Sequence, residues 1–438
     1  MRIHSHGLSD VGQERKLNED YFLVDPELGL YIVCDGMGGH AAGEIASSTA
    51  ATSIHEHLLA NAANLASIDD GGSSDRIEAT MREAVELASA KIYKMGLSEQ
   101  GKKGMGTTCC ALLVRGDKGV MAHVGDSRLY MLRGGAIHQL SEDHTFLQEA
   151  VRHGIMTAEQ AKQSTHKNII TRAVGPLEKV IVDTLVFDVL DGDTFLLCSD
   201  GLHGYIEEPT ELTPILAVPR LDAVPAQLIE LANGRGGADN ITVIALRVEA
   251  EANTQEEKEE QTERATLVNA GLETMRHIQL FEELSMAELL RVSNCCRQQD
   301  FAPDQVIIQE GESSEALFLL VSGQVVVERN EHPVAILGAG SHFGEMALLS
   351  QRPRSATVKA RTTSNVLVLE RPLFFAMLQQ DSVLATKFLW RLAQSLSLRL
   401  DDFYDLQEAG KDTVKTTLRF GLYPSPFNHG GSGTLSGL

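Results

Sequence analysis

The chain reads first as alternating blocks of strand-length apolar runs and helix-length amphipathic stretches. Tyr21-Phe22-Leu23-Val24-Asp25 and Leu30 to Asp35 have the length and content of two strands joined through Pro26-Glu27-Leu28-Gly29. Two long helices are expected over Glu44 to Ala60 and Arg76 to Met95, separated by a loop around Asp69-Asp70-Gly71-Gly72-Ser73-Ser74. Strands then dominate: Thr107 to Arg115, Gly119 to Val124, Arg128 to Leu132, Phe195 to Cys198 and Ile241 to Val248. Consecutive hairpin-like strands favour antiparallel sheets flanked by helices over a doubly wound parallel sheet, an α+β class.

From Glu249 the pattern changes to Glu, Gln, Thr and Lys with few large apolar residues, an exposed helix or disordered linker over 249–274. A second apolar pattern follows over 275–404. It opens with a helical segment, Phe281 to Val292, and continues with brief strands: Val306 to Gln309, Ala316 to Val321, Gln324 to Glu328, Val334 to Leu337, Ala356 to Arg361 and Asn365 to Leu369. That spacing predicts a small antiparallel barrel or jelly roll. Pro372 to Phe403 reads as one helix, with Phe388, Leu392, Leu396, Leu400 and Phe403 as its apolar stripe, and 405–438 as a flexible tail.

Composition narrows the function. The 438 residues suffice for two or three domains, and their formal net charge of −22 argues against a nucleic-acid partner, which clustered Lys and Arg would have to hold. No apolar run approaches membrane-spanning length, and the start, Met1-Arg2-Ile3-His4-Ser5-His6, lacks the apolar core of an export signal, so the expected location is the cytoplasm. Six cysteines, two in apolar runs (Cys34, Cys198) and four in adjacent pairs (Cys109-Cys110, Cys295-Cys296), read as reduced thiols. The sequence sets no oligomeric state.

The candidate chemistry is carried by carboxylates beside Gly or Asn: Asn18-Glu19-Asp20, Asp35-Gly36, Gly125-Asp126-Ser127-Arg128, Ser199-Asp200-Gly201 and Ala238-Asp239-Asn240. Each pair alone is an ordinary turn or cap. Together, at the ends of apolar strands, they are oxygen donors without His or Cys, a set that selects hard cations such as Mg²⁺ or Mn²⁺.

On these residues the first half resembles the metal-dependent serine/threonine phosphatases of the protein phosphatase 2C type, over nearly all of 1–248. The matching pieces are Arg15 with Asn18-Glu19-Asp20, Asp35-Gly36-Met37-Gly38-Gly39-His40, Gly106-Thr107-Thr108, Val124-Gly125-Asp126-Ser127-Arg128, Asp143-His144, Ser199-Asp200-Gly201 and Asp239-Asn240. The resemblance implies two antiparallel sheets between two helical layers (α-β-β-α). It implies that Asp35 bridges two ions, that the Gly36 carbonyl and Asp20 serve one and Asp200 and Asp239 the other, and that Asp126 with Asp200 holds a weaker third. Arg15 would grip the phosphate, a bidentate task suited to guanidinium. Two ions roughly 3.5–4 Å apart would supply hydroxide for in-line attack on phosphorus. Eukaryotic relatives carry a histidine acid two places after the bridging Asp, where Met37 stands here; His40, His144 and His203 are the alternatives. The stretch from Asp143 to Gly175, with two short helical segments, corresponds to the family's variable flap beside the active site.

A second constellation lies in Gly340-Ser341-His342-Phe343-Gly344-Glu345-Met346-Ala347-Leu348-Leu349 and Gln351-Arg352-Pro353-Arg354-Ser355-Ala356. A helix start offers N–H groups to an anion, Arg354 a bidentate cation, and Glu345 an acceptor for a ribose hydroxyl. Residues 275–404 resemble a cyclic-nucleotide-binding domain, with Gly344, Glu345, Met346, Ala347, Arg354 and Ser355 as the implied ligand residues. Ser355 stands where adenine-preferring members often have Ala and guanine-preferring ones Thr. The ligand that the resemblance implies is cAMP or cGMP, with cAMP favoured as the commoner, and Trp390, Phe403 or Tyr404 are candidates to stack over the base.

The resulting expectation is a phosphoprotein phosphatase regulated by a cyclic nucleotide. The alternatives are a nucleotide-dependent scaffold with an inactive phosphatase-like half, and a transcription factor. The intact carboxylate set counts against the first. The short, weakly basic sequence after Tyr404 counts against the second.

Overall fold

The computed structural model describes residues 1–38, 42–65, 71–98, 102–164, 169–251, 254–313, 315–345 and 353–409. Its contacts divide into two units, 1–269 with 284–294, and 270–283 with 295 onward.

In the first unit β1 (Arg2–Asp10) precedes the expected hairpin of β2 (Tyr21–Asp25) and β3 (Leu30–Cys34), and a two-residue β4 (Gly36–Met37) leads to α1 (Ala42–Ala60). α2 (Gly71–Ser98) begins within the stretch read as loop, so Gly71 to Ser74 form its first turn. There follow β5 (Gly106–Thr107), β6 (Cys109–Arg115), β7 (Lys118–Val124), β8 (Arg128–Arg133), β9 (Ala136–Gln139), α3 (Phe146–Arg152) and α4 (Ala158–Lys162). Thr145 and Thr157 cap these last two helices with their hydroxyls, which is why the flap segment breaks into short helical turns.

The unit is completed by β10 (Asp183–Asp188), β11 (Thr194–Cys198), α5 (Asp200–His203), α6 (Thr213–Leu216), α7 (Val224–Gly234), β12 (Ile241–Glu249), the first part of α8 (Gln255–His277) and α9 (Met286–Asn294). α9 begins later than the apolar pattern suggests because Ser285 and Glu288 form a reciprocal cap, each side chain accepting the other's backbone N–H.

Two five-stranded antiparallel sheets result, in the orders β1-β12-β11-β8-β9 and β10-β7-β6-β3-β2. α1 and α2 cover the second sheet through Ile54, Leu58, Met81 and Val85, and α5 to α7 cover the first through Leu202, Leu216 and Leu228. Strands buried on both faces explain why Leu30 to Cys34 is a continuous apolar run, not an alternating one. β1 escapes that pattern: His4, Ser5 and Ser9 are half-buried and His6 is exposed, on an edge strand that among the described residues pairs with β12 alone.

The second unit contains β13 (Cys296–Phe301), β14 (Val306–Ile308), β15 (Ala316–Ser322), β16 (Gln324–Arg329), β17 (His332–Gly338), β18 (His342–Phe343), β19 (Thr357–Ala360) and β20 (Ser364–Glu370). They form two four-stranded antiparallel sheets, β13-β20-β15-β18 and β14-β19-β16-β17, around Phe318, Leu320, Val325, Val358 and Val366. The expected single C-terminal helix is two, α10 (Arg371–Gln380) and α11 (Ser382–Ala409). Asp381 divides them because its carboxylate accepts from the N–H groups of Val383 and Leu384, at 3.1 and 3.0 Å, and starts a new helix. Phe388 of α11 packs between Phe281 and Phe374, while the side chains of Leu396, Leu400 and Phe403 lie outside the described residues. Among the described residues no helix is long and apolar enough to cross a membrane, and all six thiols are free.

Candidate active site and nucleotide site

The register brings the carboxylates to one end of the sandwich. Tyr21 pairs with Cys34, Cys109 with Val124, and Cys198 with both Arg128 and Val243, so the residues just beyond those positions share an edge. Asp20, Asp35, Asp126, Asp200 and Asp239 all lie there.

Each is held by specific bonds. Asp35 donates its N–H to the Thr108 hydroxyl at 2.8 Å, its carbonyl accepts from Thr108 N–H and the Thr107 hydroxyl, and Thr108 is itself bonded to Ser127. The Ser199 hydroxyl donates to Asp20 at 2.8 Å and accepts from Thr242 N–H. Asn240 accepts from Glu19 N–H and donates to the carbonyls of Val11 and Leu17, tying the loop before β2 to the start of β12. Gly36 has no room for a side chain: a Cβ would lie 2.2 Å from Gly43 O and 2.5 Å from Glu19 O.

The electrostatics are those of crowded anions. Burial, with the neighbouring Asp200 and Asp239 charges, pushes Asp20 up to about 7 against the Thr242 and Ser199 bonds that lower it. Burial and then Asp200 and Asp143 push Asp126 up to about 7. Burial followed by Asp20, Asp200 and Asp126 holds Asp35 well above the carboxylate range. Asp200 is raised by burial and by Asp239. Asp126 Oδ1 and Asp200 Oδ1 are buried with no hydrogen-bond partner among the described residues.

These orphaned oxygens in an all-carboxylate set fit a hard cation. Among the described residues, however, no three acidic, His or Cys side chains stand in a ready-made metal cage. Protein bonds take part of the set: Asp35 and Asp200 bond one another, and Arg15 Nη2 donates to Asp239 Oδ2 at 2.7 Å. Arg15, about half exposed, thus stands beside a predicted ligand at the rim.

The candidate acids divide. His40 lies outside the described residues. His203 is half-buried, pulled down to about 3 by desolvation and by Arg128, and donates to the Asp126 carbonyl at 2.9 Å. His144 accepts Gly125 N–H at Nδ1 (3.1 Å), so its Nε2 carries the proton and donates to Asp183 (3.0 Å). Both rings are therefore fastened supports of the Gly125-Asp126 turn, not free proton donors. Arg172, from the flap, also donates to Asp183, at 2.9 Å, and Arg128 grips Asp143 with Nε and Nη2. Sequence reading passed over Asp183, which lies in no motif, and counted Thr108 and Ser127 among the matching pieces without giving either a role.

In the second unit Arg354 is buried. Its Nη1 donates to Gly344 O at 3.0 Å and its Nη2 to Ala316 O at 2.7 Å. The guanidinium lies 5.6 Å from the Phe318 ring centroid, and Phe318 stacks on Phe343. Burial lowers its pKa and the Glu345 charge opposes that shift. Gly344 has φ +83°, and a Cβ there would strike Arg354 Nη1 at 2.6 Å. Ser355 is exposed beside Arg354, Met346 and Ala347 lie outside the described residues, and Trp390 is exposed on α11.

A sandwich with crowded aspartates at one edge and an arginine at its rim is the architecture of a hydrolase for anionic substrates. Residues 12–228 match the Protein phosphatase 2C family and residues 298–381 the Cyclic nucleotide-binding domain family. Similar proteins include the serine/threonine phosphatase stp of Listeria monocytogenes, 37% identical over 55% of this chain and 94% of that protein. Another is the protein phosphatase PhpP of Streptococcus pneumoniae, 34% identical over 56% and 97%. Among solved structures, the Mycobacterium tuberculosis serine/threonine phosphatase PstP/Ppp is 34% identical, with a TM-score of 0.50 over 57% of this chain and all of that one. The chain belongs to the protein phosphatase 2C family of serine/threonine phosphatases and carries, in addition, a C-terminal cyclic nucleotide-binding domain.

Proposed function

We propose that this chain hydrolyses phosphoserine and phosphothreonine in proteins with the help of Mn²⁺ or Mg²⁺, and that a cyclic nucleotide bound to its second unit sets the rate. The observation that carries the first part is the set of crowded aspartates whose charges oppose one another, with Asp126 Oδ1 and Asp200 Oδ1 left without partners among the described residues. Asp20, Asp35, Asp200, Asp239 and the Gly36 carbonyl would hold two ions, and Asp126 with Asp200 a third. Bound there, divalent cations acidify water into a nucleophile at neutral pH. The chain's own residues do the rest. Arg15 is placed to exchange Asp239 for a phosphate oxygen, and the Thr108, Ser199 and Asn240 bonds fix the carboxylates so that little reorganisation is needed. Met37 offers no acid at the eukaryotic position, so the leaving alkoxide takes its proton from solvent or from His40.

For the second part, the support is Arg354 held beside Glu345 and the Gly344 turn, the residues a cyclic phosphate and ribose require. Regulation requires that the nucleotide bind two states of the chain unequally. Mn²⁺-dependent hydrolysis of a phosphopeptide by wild type and Asp35→Ala tests the enzyme; equal rates would remove it. Addition of cAMP and cGMP to wild type and Arg354→Ala tests the regulation. A change of rate in wild type that the variant lacks is expected, and no response despite calorimetric binding would assign the domain to localisation or assembly.

A further inference from the structure

β10 starts at Asp183, the carboxylate that joins His144 to the flap residue Arg172, and His144 in turn fixes Gly125, the residue before Asp126. Among the described residues β10 is an edge strand, paired with β7 alone, and its outer backbone groups need partners. α9 supplies one: Asn294 Nδ2 donates to Val186 O at 2.7 Å, and the helix packs along β10 and against β9. The same helix acts on the chain just before His144. The Glu142 carboxyl, pushed up by burial and pulled down by Arg152, feels Glu288 and Arg291 of α9 with opposite signs. α9 therefore meets both segments that end in the His144–Asp183 pair.

Its sequence position gives this contact a use. α9 belongs to the phosphatase unit, yet the residues on either side of it, 270–283 and 295 onward, belong to the nucleotide-binding unit. Any displacement of those flanks pulls on a helix that is bonded to β10 and packed on β9, the strand that leads to Glu142. We propose that α9 is the element through which the nucleotide-binding unit acts on the phosphatase centre, by altering the placement of Gly125-Asp126 and of Arg172. Only the trigger rests on nucleotide regulation; the grip does not.

The test uses the full chain with Asn294→Ala, which removes the bond to β10, and Arg291→Ala, which removes the α9 charge that acts on Glu142, so misfolding of one variant leaves the other informative. Hydrogen exchange over 142–146 and 183–188 and Mn²⁺-supported hydrolysis of p-nitrophenyl phosphate are measured without nucleotide, then with cAMP or cGMP. Thermal unfolding verifies the fold. Without nucleotide, both variants should exchange faster in both segments and shift kcat/KM by about two- to thirtyfold. With nucleotide, any wild-type response should shrink while the calorimetric Kd stays unchanged. Exchange and rates identical to wild type, or a nucleotide response retained in full, would overturn the proposal. Failure of wild type to bind either nucleotide would instead sink the regulatory reading, and the nucleotide-free comparison would still decide the role of α9.

Discussion

At the scale of single residues, crowding decides what a position tolerates. A Cβ on Gly201 would lie 2.0 Å from Asn240 O, as one on Gly36 would lie 2.2 Å from Gly43 O, and backbone cannot yield as a side-chain tip does. Gly36→Ala and Gly201→Ala should each cost about 1–3 kcal/mol in thermal unfolding and lose most activity, because the shift falls on Asp35 and Asp200. His123 gives a pH signature. It is fully buried and its imidazole is held at about 4 by burial and by the neighbouring His144. Between pH 6.5 and 4 the unfolded chain takes up a proton that the folded chain refuses, so stability falls as pH falls through that window, by about 3 kcal/mol from this group. His123→Gln should reduce that acid-side loss, read as the wild-type minus variant difference in urea unfolding at pH 7 and pH 4.5. An equal loss in both proteins would assign the acid sensitivity to other groups.

At the scale of elements, turns and edges are held by buried charge pairs. Arg133 on β8 makes two bonds to Asp193 just before β11, at 2.8 and 2.6 Å, and both side chains are buried. Asp193→Ala should therefore destabilise the first unit by about 3–5 kcal/mol, since it strands a buried guanidinium. Asp222→Ala, which breaks the exposed pair with Arg220, should leave the urea-unfolding midpoint essentially where it is in wild type, because solvent screens such a pair. The element boundaries most visible in the sequence were those with a cap or a turn glycine, such as the β2–β3 hairpin. Those missed either lacked both, as β1 and β10 do, or carried a cap that the apolar pattern around it masked, as at Ser285 and Asp381. β1 and β10 alternate weakly because they are sheet edges, and the break at Asp381 sits inside an unbroken apolar stripe that hides it.

At the scale of the whole molecule, two units with separate cores should unfold with separate ligand responses. Mn²⁺ at about a hundred times its Kd should raise the stability of the first unit by about 3 kcal/mol, and a chelator should abolish the gain. A cyclic nucleotide should protect the second unit in wild type and not in Arg354→Ala. Differential scanning calorimetry with each ligand alone distinguishes these transitions; no shift with Mn²⁺ would count against the metal site. By itself the sequence determined antiparallel sheets flanked by helices and a small second β domain, because apolar runs and turn residues are local patterns, while the α-β-β-α order and the expected carboxylate set came from the family resemblance of its motifs. Only the tertiary structure decided the roles of His144 and His203, whose ring nitrogens are taken by Gly125, Asp183 and the Asp126 carbonyl. It alone assigned α9 to the phosphatase unit, against an expected boundary at 275. The physical reason is that a buried ring's partners, and the sheet edge a helix covers, are set by contacts between residues far apart in the chain, which no local pattern of hydrophobic and polar positions records.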